Sequence, residues 1–432
     1  MPFFFNPSAT TPSSMSSGLG FIDLRFLMTG ATNKRDLRTG RSVWVDSPGL
    51  GVPARPLRAA LSVDVAVVGA GISGAFMARE LAKDHSVAVL ERRAPLMGST
   101  MASTALLQWE IDLPLTALAE RIGMAKARRA YARSWSAVQA LKRIVEADRI
   151  PCGLAERRSL YLAGDEYGHR ALKAEADARA AMDLPSEYLD GAALREQFGI
   201  DRTGAILSQG SASADPARLA AGLLRRAAAD GARIYAPAEV TEVLSDPDGV
   251  TLATDTGQAV RARHVVFCCG YEFPKGVPTP GGKVISTWAL ASKPRARCPA
   301  WLRDTLMWEA SNPYLYVRMA RDGRLIAGGE DEEGPDNHDD PEKVRRKCER
   351  IARKLHDLLP GVAFDIDYAW GGAFGESATG LPLIGLVPDM AHTHAVMGSG
   401  GNGITYSVIA SQVVAAAVRG KADGDADLYA LT

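Results

Sequence analysis

Short apolar runs that stop at glycine alternate with longer helix-forming stretches along most of this chain. The first clear run is Val63-Asp64-Val65-Ala66-Val67-Val68, apolar at nearly every position, the pattern of a strand covered on both faces. Helix formers fill 72–84, and Val87-Ala88-Val89-Leu90 is a second buried strand, so 63–90 predicts a strand–turn–helix–strand unit. Residues 115–147 carry Arg and Lys on one helical face and Ala, Trp and Leu on the other, predicting one long amphipathic helix. A further helix over 216–230 has Asp215 as its N-cap and Gly231 as its stop. Segments 238–244, 250–254, 258–262 and 264–269, separated by turn residues, predict a β-meander. Strands are expected at 284–292, 314–319 and 324–328, then a solvated acidic loop over 330–340 and a charged helix over 343–358. The chain closes with a strand at 394–397, a glycine loop and a helix over 404–418.

Before residue 36 there is no sustained period, only Ser, Thr, Pro and Gly in abundance. A poorly ordered extension is expected over 1–35, with Met28 a candidate translation start, followed by an extended arm over 36–60. At 432 residues the chain exceeds one ordinary domain of ~100–200 residues. Fifty basic residues against fifty acidic ones give no general attraction to nucleic acid or to a membrane surface. No apolar run is expected to reach the ~20 residues of a membrane helix, and no signal-peptide cleavage pattern is present. Cys268 and Cys269 are adjacent, no C-x-x-C pair occurs, and His392 and His394 lack a third ligand. Reduced thiols, a cytoplasmic location and no metal are therefore expected.

The chemistry begins at Gly69-Ala70-Gly71-Ile72-Ser73-Gly74, a G-x-G-x-x-G between the first strand and its helix. Gly69 permits the tight turn, Gly71 lets a pyrophosphate approach the backbone, and Gly74 lets helix and strand pack closely. The helix N-terminus then faces the phosphates with free N–H groups and a positive dipole. Glu91, at the end of the second strand, suits both ribose hydroxyls and opposes a 2′-phosphate, which excludes NADP here. A small, hydroxyl-rich loop follows within eight residues, Gly98-Ser99-Thr100-Met101-Ala102-Ser103-Thr104, and suits a long cofactor lying across it. The apolar run ending at Cys269-Gly270 allows another close approach. Gly398-Ser399-Gly400-Gly401-Asn402-Gly403 repeats the glycine pattern, but no strand or ribose acid follows. It reads as a helix N-terminus suited to negative charge on a reduced flavin ring, or as a plain turn.

With these motifs in this order, the chain over roughly 36–432 resembles the FAD-dependent D-amino-acid-oxidase-like superfamily, of the glycine and sarcosine oxidase type. The Trp370-Gly371-Gly372 element and the run from Gly380-Leu381-Pro382-Leu383-Ile384-Gly385 to Gly400-Gly401-Asn402-Gly403-Ile404 complete the resemblance. It implies an α/β fold: a Rossmann-like FAD-binding domain interleaved with a mixed-sheet α+β substrate domain. The FAD-binding parts are expected at 36–110, 211–275 and 365–432, and the substrate-domain parts at 111–210 and 276–364. The implied activity is oxidation of a C–N bond in a small amine or amino-acid-like substrate by hydride transfer to FAD. The implied cofactor shell is Gly69 to Gly74, Glu91, Arg92, Ser99, Thr100, Ser103, Thr104, Val240, Cys269, Gly270, and Gly400, Gly401, Asn402, Gly403 and Ile404. The electron acceptor stays open between oxygen, a quinone and a protein.

Two departures from the family pattern bear on substrate and cofactor. The arginine that clamps a substrate carboxylate is replaced near Phe374, leaving Arg318 as either a substitute or a surface residue. The cysteine that links flavin covalently is missing near Gly372 and Ala373, so non-covalent FAD is expected. Gln108, Tyr271, Tyr316, Arg318 and Phe374 are the candidate substrate-side residues. Glu110 is read either as a partner for a substrate amine or as half of a structural ion pair. An aromatic hydroxylase is disfavoured by the lack of a mid-chain Gly-Asp element, and a redox-inert flavoprotein subunit is the alternative.

Overall fold

The run at 63–68 extends to the strand Leu61–Val68, and its neighbours explain its composition. It lies parallel to Val87–Leu90 on one side and to Ala259–Phe267 on the other, and Val65, Ala66 and Val67 are wholly buried. Helix Ile72–Leu81 makes the crossover and packs against helices Pro216–Ala229 and Gly403–Val418. The computed structural model describes residues 26–279, 281–334 and 336–431.

The described strands form two ten-stranded sheets. In the first, Leu61–Val68 and Val87–Leu90 lie between Ala259–Phe267 and Arg233–Tyr235, with the antiparallel strands Gly249–Thr254 and Val240–Asp246 beyond. Thr393–Met397 joins it beside the C-terminal half of Ala259–Phe267. The second sheet is centred on Lys283–Ser292, Leu325–Glu333, Leu315–Met319, Thr305–Glu309, Ala155–Leu162 and Gly204–Ser213, and Ile366–Glu376 flanks Lys283–Ser292. Helix Pro341–Leu358 covers it, burying Val344, Cys348, Ile351 and Leu355 at helical spacing.

Several expectations are corrected. The helix over 115–147 is two, Leu115–Ile122 and Met124–Ala147, because Gly123 turns the chain at φ +85. The last two meander segments form the single strand Ala259–Phe267. Residues 1–25 of the expected extension lie outside the described residues. Phe26–Thr29, however, is a strand, antiparallel to Val240–Asp246, with Met28 opposite Val243. Arg38–Arg41, Leu106–Leu107 and Ile366–Glu376 belong to the second sheet, although the expected division put them with the first. Arg38–Arg41 pairs closely with Ile366–Glu376 because a glycine stands at the contact: a Cβ on Gly40 would sit 2.5 Å from the Ala369 carbonyl oxygen.

The acidic stretch is not all solvated loop either. Leu325–Glu333 runs into it, and Glu330 is only 1% exposed. Its carboxylate meets Lys354 at 2.5 Å and Arg350 at 3.0 Å from the covering helix, which supplies the charge that burial requires. The stretch 400–418 does have the length and hydropathy of a membrane helix, but 67% of its best window is buried inside the fold.

In the first sheet, on strand Thr393–Met397, His394 is 3% exposed and neither ring nitrogen has a partner. Burial, with His264 and His392 nearby, pulls its pKa down to about 4. The unfolded chain therefore takes up a proton at higher pH than the folded one. Stability should fall as the pH drops through the window between ~6.5 and about 4, by up to about 3 kcal/mol from this group. Urea unfolding of His394→Phe should show a correspondingly flatter dependence over that window. An unchanged slope would mean that the ring is solvated in the folded protein.

Candidate active site

The three glycines of the turn after Leu61–Val68 serve different ends. A Cβ on Gly69 would lie 2.4 Å from the Cys268 carbonyl oxygen, and one on Gly74 would lie 1.9 Å from that of Gly69. Packing alone demands both. Gly71 would meet only Thr100 Oγ1, at 3.1 Å, and as N-cap of helix Ile72–Leu81 it has no side-chain cap. Its N–H end faces a cleft, the arrangement that accepts a phosphate. Glu91 braces this turn: Oε2 accepts from the Ala70 N–H and Oε1 from the Arg93 N–H, both at 2.8 Å.

The hydroxyl-rich loop is fastened to both sheets. Thr100 Oγ1 accepts from the Ile72 N–H at 2.9 Å. Its carbonyls are held by Trp44 Nε1 on Ser103 at 2.6 Å, Trp370 Nε1 on Ala102 at 2.8 Å and Arg318 Nε on Thr104 at 2.6 Å. Helices Ile72–Leu81 and Gly403–Val418 are tied together by Ser73 Oγ and Ser407 Oγ at 2.8 Å.

One cleft runs between these parts. Of the expected cofactor residues, all except Ala70 and Gly74 line it. Ala70 presents its N–H to Glu91, and Gly74 is packed against the turn. Gln108, Tyr271, Tyr316 and Phe374 line it too. Gln108 Nε2 donates to Ser159 Oγ at 3.0 Å, and Tyr271 OH donates to the Gly400 carbonyl at 3.1 Å. Burial pushes both the Tyr271 and Tyr316 phenols well up from their ordinary range.

Arg318 does not line the cleft, which corrects its candidacy as a carboxylate clamp. It is 2% exposed and donates to the Thr104 carbonyl and, at 3.0 Å, to that of Ala214. It points past the cleft because the loop it holds stands in between. Arg92 lines the cleft, but its guanidinium and that of Arg93 converge on Glu272. The glycine loop is also partly engaged: Asp112 Oδ2 accepts from the Gly401 N–H at 2.7 Å. Gln108, Glu110 and Asp112, at alternate positions, all face the cleft. Glu110 is 2% exposed; Oε2 accepts from Ser211 Oγ at 3.1 Å, and Oε1 has no partner. Trp44, Trp370 and Ser211 were not legible as site residues, since each acts through one contact distant in sequence. No group of His, Cys, Asp or Glu among the described residues could hold a metal.

The residues fit a dinucleotide. Ser99 Oγ and Asn402 Oδ1 are buried in the cleft wall without partners, as groups awaiting a polar ligand would be. Gly69, Gly71, Glu91 and Thr100 would hold its nucleotide end, and Gly270 and the Gly400–Asn402 turn its other end.

The family model "FAD dependent oxidoreductase" (DAO) matches residues 64–417, and the chain belongs to that family. It is a FAD-dependent oxidoreductase of the amino-acid-oxidase type. Gamma-glutamylputrescine oxidoreductase of Escherichia coli (strain K12) is 24% identical over 381 residues, covering 86% of this chain and 87% of that protein. Glycine oxidase of Geobacillus kaustophilus (strain HTA426) is 26% identical over 370 residues, covering 83% and 93%. The crystal structure of the Geobacillus kaustophilus glycine oxidase has a TM-score of 0.73 at 23% identity, covering 86% of this chain and 99% of that one.

Replacing Glu91 by Ala removes an ionised acceptor whose hydrogen bonds are worth ~1.5–3 kcal/mol. FAD affinity of the apoprotein, followed by quenching of flavin fluorescence, should fall roughly ten- to a hundredfold. An unchanged dissociation constant would show that the carboxylate serves only the turn.

Proposed function

We propose that this enzyme oxidises a C–N bond of an amine that carries no carboxylate beside the reacting carbon, with FAD held non-covalently. The observation that carries the reading is the charge of the cleft. Its lining arginines, Arg92 and Arg93, are both paired with Glu272, while Glu110 keeps one unpartnered carboxylate oxygen. A substrate carboxylate would be buried unpaired there, at a cost of several kcal/mol. A substrate ammonium or secondary amine would give Glu110 Oε1 the donor it lacks. Bound FAD supplies the acceptor for the hydride that leaves the carbon next to nitrogen. Trp308, Tyr316 and Phe374 line the cleft with aromatic surface that packs a bulky or cyclic amine and excludes water. The two relatives above are named for an amino acid and for a putrescine conjugate, which supports nitrogen compounds as the substrate class.

Non-covalent binding is favoured by the chemistry of the nearby thiols. Cys269 lines the cleft, but burial drives its pKa well up, and Cys268 rises to about 12. Neither is a ready nucleophile. All five cysteines are free, which supports a cytoplasmic location.

Acid precipitation should therefore leave FAD in the supernatant; flavin remaining with the pellet would overturn the non-covalent reading. In an anaerobic substrate screen, cyclic and other bulky secondary amines should bleach the flavin absorbance at least roughly tenfold faster than glycine or either alanine. Glu110→Gln should raise KM for the best amine by roughly tenfold and change kcat less. Fast reduction by D-alanine would sink the reading.

A further inference from the structure

Behind the cofactor loop, on the side away from the cleft, lies a second cavity whose charge is not balanced. Five arginines and three aspartates among the described residues line it. The aspartates are already engaged. Asp215 accepts from the Arg218 N–H at 2.9 Å and from Ser47 Oγ. Asp322 accepts from Arg324 Nε at 3.0 Å, and Asp46 from Arg41 and Tyr368. Arg318 and Arg157 are left with backbone partners only. Arg318 uses Nε and Nη2 on two carbonyls, and Arg157 gives Nη1 to its neighbour's carbonyl at 3.0 Å. Arg157 Nε is buried without a partner. Burial lowers both groups; with the nearby charge of Arg157, and against the pull of Asp215 and Asp322, it takes Arg318 to about 9. Asp215 and Asp322 act on Arg318, and Asp304 on Arg157, from a distance only: neither guanidinium forms an ion pair with a carboxylate, and two such groups sharing a cavity are complementary to an anion.

We propose that this cavity is a binding site for a small oxyanion, a carboxylate or a phosphate group, held between Arg157 and Arg318. The site touches the cofactor loop from behind. Arg318 holds the Thr104 carbonyl, and Trp44, stacked 5.5 Å from the Arg318 guanidinium, holds that of Ser103. An anion there tightens the clamp on a loop that lines the FAD cleft, so its binding is felt at the flavin.

The test uses the FAD-loaded enzyme, in which the dinucleotide occupies its own phosphate site. Sodium phosphate, acetate and succinate are titrated against sodium chloride at matched ionic strength, following Tm and the flavin absorbance band. A saturable rise in Tm with a band shift is expected. Saturation with phosphate alone identifies a phosphate ligand, and saturation with acetate or succinate alone a carboxylate. Arg157→Gln should weaken the saturating anion tenfold or more, whereas Arg346→Gln, on the covering helix of the second sheet, should not. A response that follows ionic strength alone, or that is the same in Arg157→Gln, overturns the proposal. The wild-type titration decides against it even if Arg157→Gln fails to fold.

Discussion

The structure turns on how the irregular loop after the second strand satisfies its own backbone. A buried loop cannot leave carbonyls unpaired without losing about as much as a hydrogen bond is worth at each one. Here the donors are long side chains from elsewhere: Trp44 from the N-terminal arm, and Trp370 and Arg318 from the second sheet. Thr100 fixes the opposite side of the loop to the first turn of helix Ile72–Leu81. One short segment thereby fastens the two sheets to each other. The cleft exists between them because the segment is held from behind and leaves its hydroxyl face open.

That constraint also explains which features could be read from the sequence. The unit from Leu61 to Leu90 was legible because its signals are local: buried β-branched strands, glycines at fixed spacing and an acid at the second strand's end. In the second sheet the strands expected at 284–292, 314–319 and 324–328 are present, but two of their neighbours were not legible. Ala155–Leu162 begins Ala-Glu-Arg-Arg, and Gly204–Ser213 is rich in Ser and Gly, so neither shows the alternation that marks a half-buried strand. Their pairing with each other, not their composition, makes them strands. Glu330 looked solvated because its cations lie some twenty residues on, in the covering helix.

Arg318 shows the same limit at the site. Tyr314, Tyr316 and Arg318 occupy alternate positions in sequence, and both tyrosines line the cleft. Period alone therefore aims the arginine at a substrate. The cleft ends before it, and the guanidinium meets backbone carbonyls instead. No reading of one strand contains that fact, since it depends on where a loop two hundred residues earlier crosses the strand's end.

The removal of Arg318 from the cleft changes the meaning of the remaining charges. A glycine-rich helix start suggests a site for negative charge, yet one of its N–H groups is already taken by the Asp112 carboxylate. Glu110 stands two residues before, and its main-chain carbonyl accepts from Asn402 Nδ2 at 2.9 Å, so the acidic segment and the glycine turn are built as one piece. Field lines in a cleft with low-dielectric walls are set by the few charges left unpaired. Both cleft arginines are committed to Glu272, whereas Glu110 keeps a carboxylate oxygen without a hydrogen-bond donor and feels the buried Arg179 guanidinium only from a distance. On the reading proposed above, such a cleft favours groups that bring an N–H donor to Glu110 over anions, which would lose their hydration without gaining a partner. On the proposed reading, the chain keeps the family's nucleotide-binding turn, and the half that meets the substrate favours groups that bring their own N–H donors.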